Sequence, residues 1–345
     1  MKKTAVVILN WNGRDLLEKF LPTVLRHSLS EDCEVLIADN ASSDGSVEFL
    51  SSAYPDTPLI VFDKNYGFAE GYNKALQQVD SEYVVLLNSD VETTENWIQI
   101  LVSYLENHPD TAAAQPKIVS YKHKNQFEYA GAAGGFIDYY GYPFCRGRIL
   151  ETLEEDKGQY DLETPVFWAT GACLCIRRKD FLEAGGLDAR FFAHMEEIDL
   201  CWRLNARGRK VACAPSSVVY HVGGASLSKE DPKKTYLNFR NNLLMLYKNV
   251  AKDNLLKIFL VRYILDALAY AHLLVQGNFK NAKSVVEAHR DFFKLRPSYK
   301  QIRKENLSKT TVKNVPGVLQ ESILWNYYFK GKKTYRSIFT EKIAP

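Results

Sequence analysis

Tyr83-Val84-Val85-Leu86-Leu87-Asn88-Ser89-Asp90-Val91-Glu92 decides how this chain is read. The apolar residues from Tyr83 to Leu87, β-branched at Val84 and Val85, predict a short buried strand that has to stop where Asn88-Ser89-Asp90 turns polar. That leaves a carboxylate at the carboxyl end of the strand, the edge at which open α/β sheets bind ligands. Asp90 is therefore a candidate ligand for a hard divalent cation such as Mg²⁺ or Mn²⁺. Turn chemistry, or a helix N-cap ahead of Asn96-Trp97-Ile98, accounts for the same residues equally well.

Upstream the pattern repeats. A strand from Thr4 to Leu9 ends in Asn10-Trp11-Asn12-Gly13, and Leu16, Leu17, Phe20, Leu21 and Leu25 follow at helical spacing. The next strand, Glu34 to Ala38, delivers Asp39-Asn40-Ala41-Ser42-Ser43-Asp44-Gly45-Ser46. A third, Leu59 to Phe62, leads into Lys64 to Asn73, where Gly67 and Gly71 would let backbone approach a ligand at a helix start. Strands alternating with helices predict an α/β fold with a mostly parallel sheet and helices on both faces. No Gly-x-Gly-x-x-Gly follows the first strand, which excludes the dinucleotide-binding fingerprint.

Downstream of Asp110 the signals loosen. Gly131, Gly134, Gly135, Gly141 and Gly147 with Tyr139, Tyr140 and Tyr142 predict a long, mobile, aromatic-rich excursion. A strand returns over Val166 to Ile176, and a short helix ends at Gly185-Gly186. Glu196, Glu197 and Asp199 then open a helix through Leu204; the macrodipole favours acids there, but so many in one turn exceed what capping requires. A last strand, Ser217 to Tyr220, runs into His221-Val222-Gly223-Gly224.

Composition is that of a globular protein, 46% hydrophobic and 25% charged over 345 residues. Six cysteines without a Cys-x-x-Cys pair argue for a reducing compartment and against a zinc site. The apolar run Ala5 to Leu9 is too short for a signal-peptide core. The net charge of +3 hides an asymmetry: residues 1–228 carry 21 bases and 32 acids, net −11, whereas residues 229–345 carry 23 and 9, net +14. An acidic part suits a metal-dependent site, and a basic part suits an anionic surface.

These motifs, in this order, resemble the family 2 glycosyltransferases of the GT-A type, and among them the bacterial rhamnosyltransferase-like enzymes. The matching residues are Val7 to Gly13, Asp39 to Ser46, Asn65 to Asn73, Leu87 to Asp90, Gly171-Ala172, Glu196 to Arg203, His221 to Gly224 and Asn238 to Asn242. The resemblance implies a GT-A, Rossmann-like mixed sheet with flanking helices, a donor part at about 1–115, an acceptor part at about 116–228, and a basic, largely helical region at 229–345. It implies donor contacts from Asn10, Asn12, Asp39, Asn65, Gly67, Phe68, Asn73, Asn88 and Asp90, with Asp39 on the pyrimidine ring. It assigns the metal, Mg²⁺ or Mn²⁺, to Asp90 and His221, and the acceptor to Trp168, Gly171, Ala172 and Arg240. Glu197 takes the place of the general base, with Glu196 and Asp199 as alternatives. Two departures stand out: Asn-Ser-Asp has one carboxylate where the family has Asp-x-Asp, and Glu197 replaces aspartate.

The activity so implied is inverting transfer of a sugar from dTDP-rhamnose or a UDP-hexose to a glycan or polyprenyl-linked saccharide in surface polysaccharide synthesis. A sugar-nucleotide-binding subunit that has lost catalysis is the alternative. Leu255 to Leu274 form a mostly apolar helix whose Lys257, Arg262, Asp266 and His272 fall within half its circumference. Holding the first three of these at a bilayer centre would cost roughly 8–10 kcal/mol, so an amphipathic rather than a spanning helix is predicted, its apolar face packed on the catalytic domain or laid on lipid. Aromatics and bases interleaved over Phe292 to Lys313 and Trp325 to Lys333 predict attachment to an anionic membrane surface, on its cytoplasmic side. No nucleic-acid recognition motif accompanies the charge.

Overall fold

A computed structural model describes residues 2–223 and 231–339. Its first half alternates as predicted: β1 (Thr4–Asn10), α1 (Arg14–Ser28), β2 (Cys33–Asp39), α2 (Ser46–Ala53), β3 (Leu59–Val61), α3 (Gly67–Gln77) and β4 (Tyr83–Asn88). β1 lies parallel to both β2 and β4, with Asn10 beside Asp39 and Leu9 beside Asn88. The register alone therefore brings three polar strand ends to one edge. Val84 to Leu87 are without solvent exposure because helices cover both faces. Tyr72 of α3 donates its hydroxyl to the Leu87 carbonyl at 2.9 Å, fixing the helix over the strand that ends at Asp90.

After β5 (Val91–Thr93) and α4 (Trp97–Asn107), the chain makes β6 (Thr111–Ser120), a ten-residue strand at the heart of the sheet. The sequence conceals it because Ala112-Ala113-Ala114 lack β propensity and Pro116 interrupts the run. The expected mobile excursion is instead folded: β7 (Gly135–Asp138), β8 (Pro143–Cys145), β9 (Arg148–Ile149) and β10 (Thr152–Leu153) form a second sheet, with Ile137 and Phe144 fully buried. Its glycines serve contact rather than mobility. A Cβ on Gly135 would sit 2.1 Å from the Trp168 ring.

β11 (Thr164–Val166), β12 (Cys173–Arg177), α5 (Arg178–Ala184), α6 (Glu196–Ala206) and β13 (Lys210–His221) complete the main sheet, ordered β11-β13-β6-β12-β4-β1-β2-β3, with β5 paired to β13. β12 runs antiparallel between β4 and β6, making the sheet mixed. The last strand is three times the predicted length because a register shift between Ala214 and Val218 carries the ladder past Pro215.

Beyond the break come α7 (Pro232–Asn249), α8 (Lys252–Val275), α9 (Phe279–Leu295), α10 (Lys300–Ser308), β14 (Val318–Leu319), α11 (Ile323–Tyr328) and α12 (Tyr335–Phe339). Asp231 caps α7 through the Lys233 N–H, with Pro232 at the first helical position. The expected boundary at 228/229, with Gly224 of the last motif, lies outside the described residues. The region after it does not stand apart. β14 pairs with β7, Ile323 N–H donates to Asp138, and Phe339 stacks on Phe144.

Candidate active site

Three polar strand ends and the start of α3 meet at one edge of the sheet. Asn10 donates to Asp39 at 2.9 Å, and the other Asp39 oxygen accepts from the Ser42 N–H at 2.8 Å. Asn12, held at φ +50°, accepts from the Ser43 N–H at 2.8 Å. Asn40 ties this loop to the next by donating to Asn65 and to the Gly67 carbonyl and accepting from the Tyr66 N–H. Asp39, expected on the pyrimidine ring, thus lies wholly beneath the loop that it shapes.

The glycines at the start of α3 meet protein rather than open space. Gly67 sits at φ +75° against Phe192, whose carbonyl accepts from the Phe68 N–H at 2.7 Å and the Ala69 N–H at 3.1 Å. Those donors are the orphan N–H groups of a first helical turn, so this helix start is closed by chain, not left for phosphate. Asn73, expected on the donor, bonds both ways to the Leu187 backbone, at 2.8 and 2.9 Å.

At the centre of the edge, Asp90 is buried, with one carboxylate oxygen 3.1 Å from His221 Nε2 and the other accepting from the Gly223 N–H at 3.2 Å. Asn88 lies 3.5 Å from the same imidazole nitrogen. His221 Nδ1 faces a second carboxylate, Glu128, at 3.2 Å. Burial would lower the histidine, but Asp90 and Glu128 outweigh it and raise it to about 10; burial of Asp90 is likewise outweighed by His221 and the Gly223 N–H, and its carboxyl stays below the usual range. Glu128 escaped the sequence reading. It comes from a connection between β6 and β7 with no motif around it, and only the fold brings it to His221.

The acidic helix closes the site from the other side. Glu197 lies in the first turn of α6, beside Gly171. Gly171 is the hinge of the arrangement: a Cβ there would meet Phe68 at 3.0 Å and Glu197 Cβ at 3.8 Å. Ala172 next to it accepts from the Asn88 N–H at 3.0 Å, which links the surroundings of Glu197 to the Asp90 turn. Burial raises Glu197 above an ordinary glutamate, partly opposed by its N–H donors. Glu196 is raised well above, by burial and then by the neighbouring Glu197 charge. Each has one buried carboxylate oxygen without a partner.

Asp199 is different. It accepts from Arg203 at 3.0 Å, Lys248 at 2.9 Å and Asn249 at 2.7 Å, and these groups more than offset its burial and keep it ionised. Its place as an alternative base is therefore corrected to that of a structural anion. Trp168 and Arg240, expected on the acceptor, both bond to their own chain. The indole donates to the Phe136 carbonyl at 2.8 Å inside the core, and Arg240 donates to the Arg190 and Phe191 carbonyls at 3.0 Å. Asn241 beside it donates to the carbonyls of Phe191, Ala193 and His194. The Asn238 to Asn242 motif is a clamp on the loop that precedes α6.

Against this geometry, the model of the family "Glycosyl transferase family 2" matches residues 5–183, more than half of the chain. The chain belongs to glycosyl transferase family 2. This transferase is 28% identical over 243 residues to an N-acetylglucosaminyl-diphospho-decaprenol L-rhamnosyltransferase of Mycobacterium tuberculosis, covering 65% of this chain and 78% of that one. It is 22% identical to the rhamnosyltransferase WbbL of Escherichia coli, over 63% and 82% of the two chains. Its fold is GT-A: it superposes on Staphylococcus aureus TarS 1-349 with a TM-score of 0.51 over 90% and 89% of the chains at 14% identity. GalNAc-T7, a structure holding UDP, GalNAc and Mn²⁺, gives 0.56 over 72% and 48%, also at 14% identity.

Proposed function

We propose that this family 2 transferase moves a sugar, with inversion, from a pyrimidine nucleotide-diphosphate donor, dTDP-rhamnose or a UDP-hexose, to a glycan or lipid-linked saccharide in surface polysaccharide synthesis. The observation that carries the reading is the placement of Glu197, a half-buried carboxylate beside Gly171 that is joined through Ala172 and Asn88 to the Asp90–His221 pair. Glu197 takes the proton of the acceptor hydroxyl, which then attacks the anomeric carbon in line while the diphosphate departs toward His221. Similarity to a transferase named for a diphospho-decaprenol acceptor supports a lipid-linked acceptor here, and hence work at the cytoplasmic face of a membrane.

Among the described residues no three His, Cys, Asp or Glu side chains are grouped to hold a metal ion, but Asp90 offers a hard oxygen of the kind that a divalent cation takes. In the present arrangement the His221 imidazole stands between the carboxylates of Asp90 and Glu128 as their counter-ion, so Asp90 is the ligand we assign first, with His221 joining once its proton is released. When bound, the cation would offset the charge of the leaving diphosphate. Asn12, Asn65 and the loop over Asp39 are assigned to the nucleoside end, and Gly171 and Ala172 to the acceptor side.

The test is product formation from dTDP-rhamnose and UDP-hexoses with a polyprenyl-diphosphate-linked sugar, reading the anomeric configuration of the product by NMR. An inverted product made by the native chain, and lost with retained nucleotide binding in Glu197→Gln, is the expected result. Undiminished turnover by Glu197→Gln would overturn the assignment of the base.

A further inference from the structure

α8 is inside out. Its buried residues are Ile258, Phe259, Arg262 and Asp266: Arg262 and Asp266 bridge at 3.0 Å, His289 of α9 reaches Asp266 at 3.0 Å, and Arg262 lies 4.0 Å over the Tyr142 ring. Leu256, Leu260, Ile264 and Leu268, two positions or about 200° round the helix from that row, are 72%, 56%, 63% and 62% exposed. The exposed row runs on through Val275 to Phe279 at the start of α9. Of the two arrangements expected from the sequence, packing of the apolar face on the catalytic domain is not the one formed. A helix of a protein surrounded by water would turn the other way, its leucines inward and its charges out.

We propose that this row lies in the interface of an anionic lipid bilayer, with α8 parallel to the surface. Charge complementarity selects that occupant. Between Lys252 and Arg296 there are eight bases and four acids, and Lys252, Lys257, Lys280, Lys283 and Lys294 are exposed on the two helices that present the row. A second copy docked on this face would set bases against bases, whereas anionic headgroups neutralise them. A contiguous aliphatic row rimmed by lysines is the form taken by helices that lie on membranes. The buried Arg262–Asp266 pair holds α8 on the protein and prevents it from crossing the bilayer. The same helix rests on Tyr139 and Tyr142, in the turn whose Gly141 carbonyl is bonded to Asn242 of the loop clamp. The lipid face is thereby joined to the helix whose Asn241 holds the loop ahead of α6.

The inference deepens the reading of a lipid-linked acceptor, and partitioning without donor or acceptor tests it apart from that reading. The full chain is mixed with phosphatidylcholine vesicles with or without phosphatidylglycerol and sedimented. The native protein is expected with the phosphatidylglycerol vesicles only. The double substitution Leu260→Gln, Ile264→Gln, neutral and on exposed positions, should weaken partitioning on the order of a hundredfold, about tenfold for each lost aliphatic side chain. Its melting temperature and its stabilisation by UDP or dTDP should stay unchanged, which shows an intact fold and donor site. Equal partitioning of the double variant, equal binding to both vesicle types, or a native protein that ignores vesicles would each overturn the proposal. A dimer that the double substitution dissolves would likewise overturn it, in favour of a second copy on this face.

Discussion

Two acids two positions apart on α6 carry opposite chemistry because of what surrounds them. Among the described residues no cation pairs with Glu197, and burial raises its carboxyl above the ordinary glutamate value of 4.5. The acidic limb of kcat against pH, which reports the base in the bound complex, should accordingly lie above that value, and Glu197→Gln should lower kcat by ~10²–10⁴. Asp199 meets Lys248 and Arg203, so its pKa falls in the folded chain. A depressed carboxylate contributes stability that is present above its unfolded value of 3.8 and is lost as pH drops through the folded one. Asp199→Asn takes a buried carboxylate from Arg203 and from Lys248, which keeps Asp188 at 2.7 Å, and should lower stability in chemical denaturation at neutral pH by up to roughly 3 kcal/mol. The sequence shows both acids in one helical turn. It does not show the cations, which come from α7 and from one turn further along α6.

At the scale of elements, the loop from Arg190 to Met195 decides where the base sits. Phe192, His194 and Met195 all have φ between +66° and +73°, a backbone that side-chain-bearing residues rarely adopt. It is held from two directions, by the first turn of α3 through Phe192 and by α7 through Asn241. Removing the clamp in Asn241→Ala leaves buried carbonyls without donors, at roughly 1–3 kcal/mol each, and should lower kcat together with the melting temperature. Gly171→Ala should separate the two effects. It can keep its backbone conformation and needs only a small shift of Phe68, so turnover should fall with little loss of stability. No periodicity announces such a loop, because its conformation is imposed by hydrogen bonds from distant helices rather than by local preference.

At the scale of the whole molecule, the C-terminal region completes the fold it follows. Ending the chain at Gly317 would remove β14 from the edge of β7, leave Asp138 without its Ile323 donor, and uncover Phe136 and Phe144. Such a chain should bind a hydrophobic dye and melt well below the full-length protein. The sequence by itself determined the alternation of strands and helices, the strand ends that carry Asn10, Asp39 and Asp90, and the acidic start of α6. These follow from local periodicity and from the parallel register of neighbouring strands. Only tertiary structure decided that an alanine-rich segment is the central strand, that Glu128 reaches His221, that Asp39, Asn73 and Arg240 bind their own chain, and that α8 turns its leucines outward. Each of these depends on a partner more than twenty residues away, and a pattern read along one segment holds no record of what will pack against it.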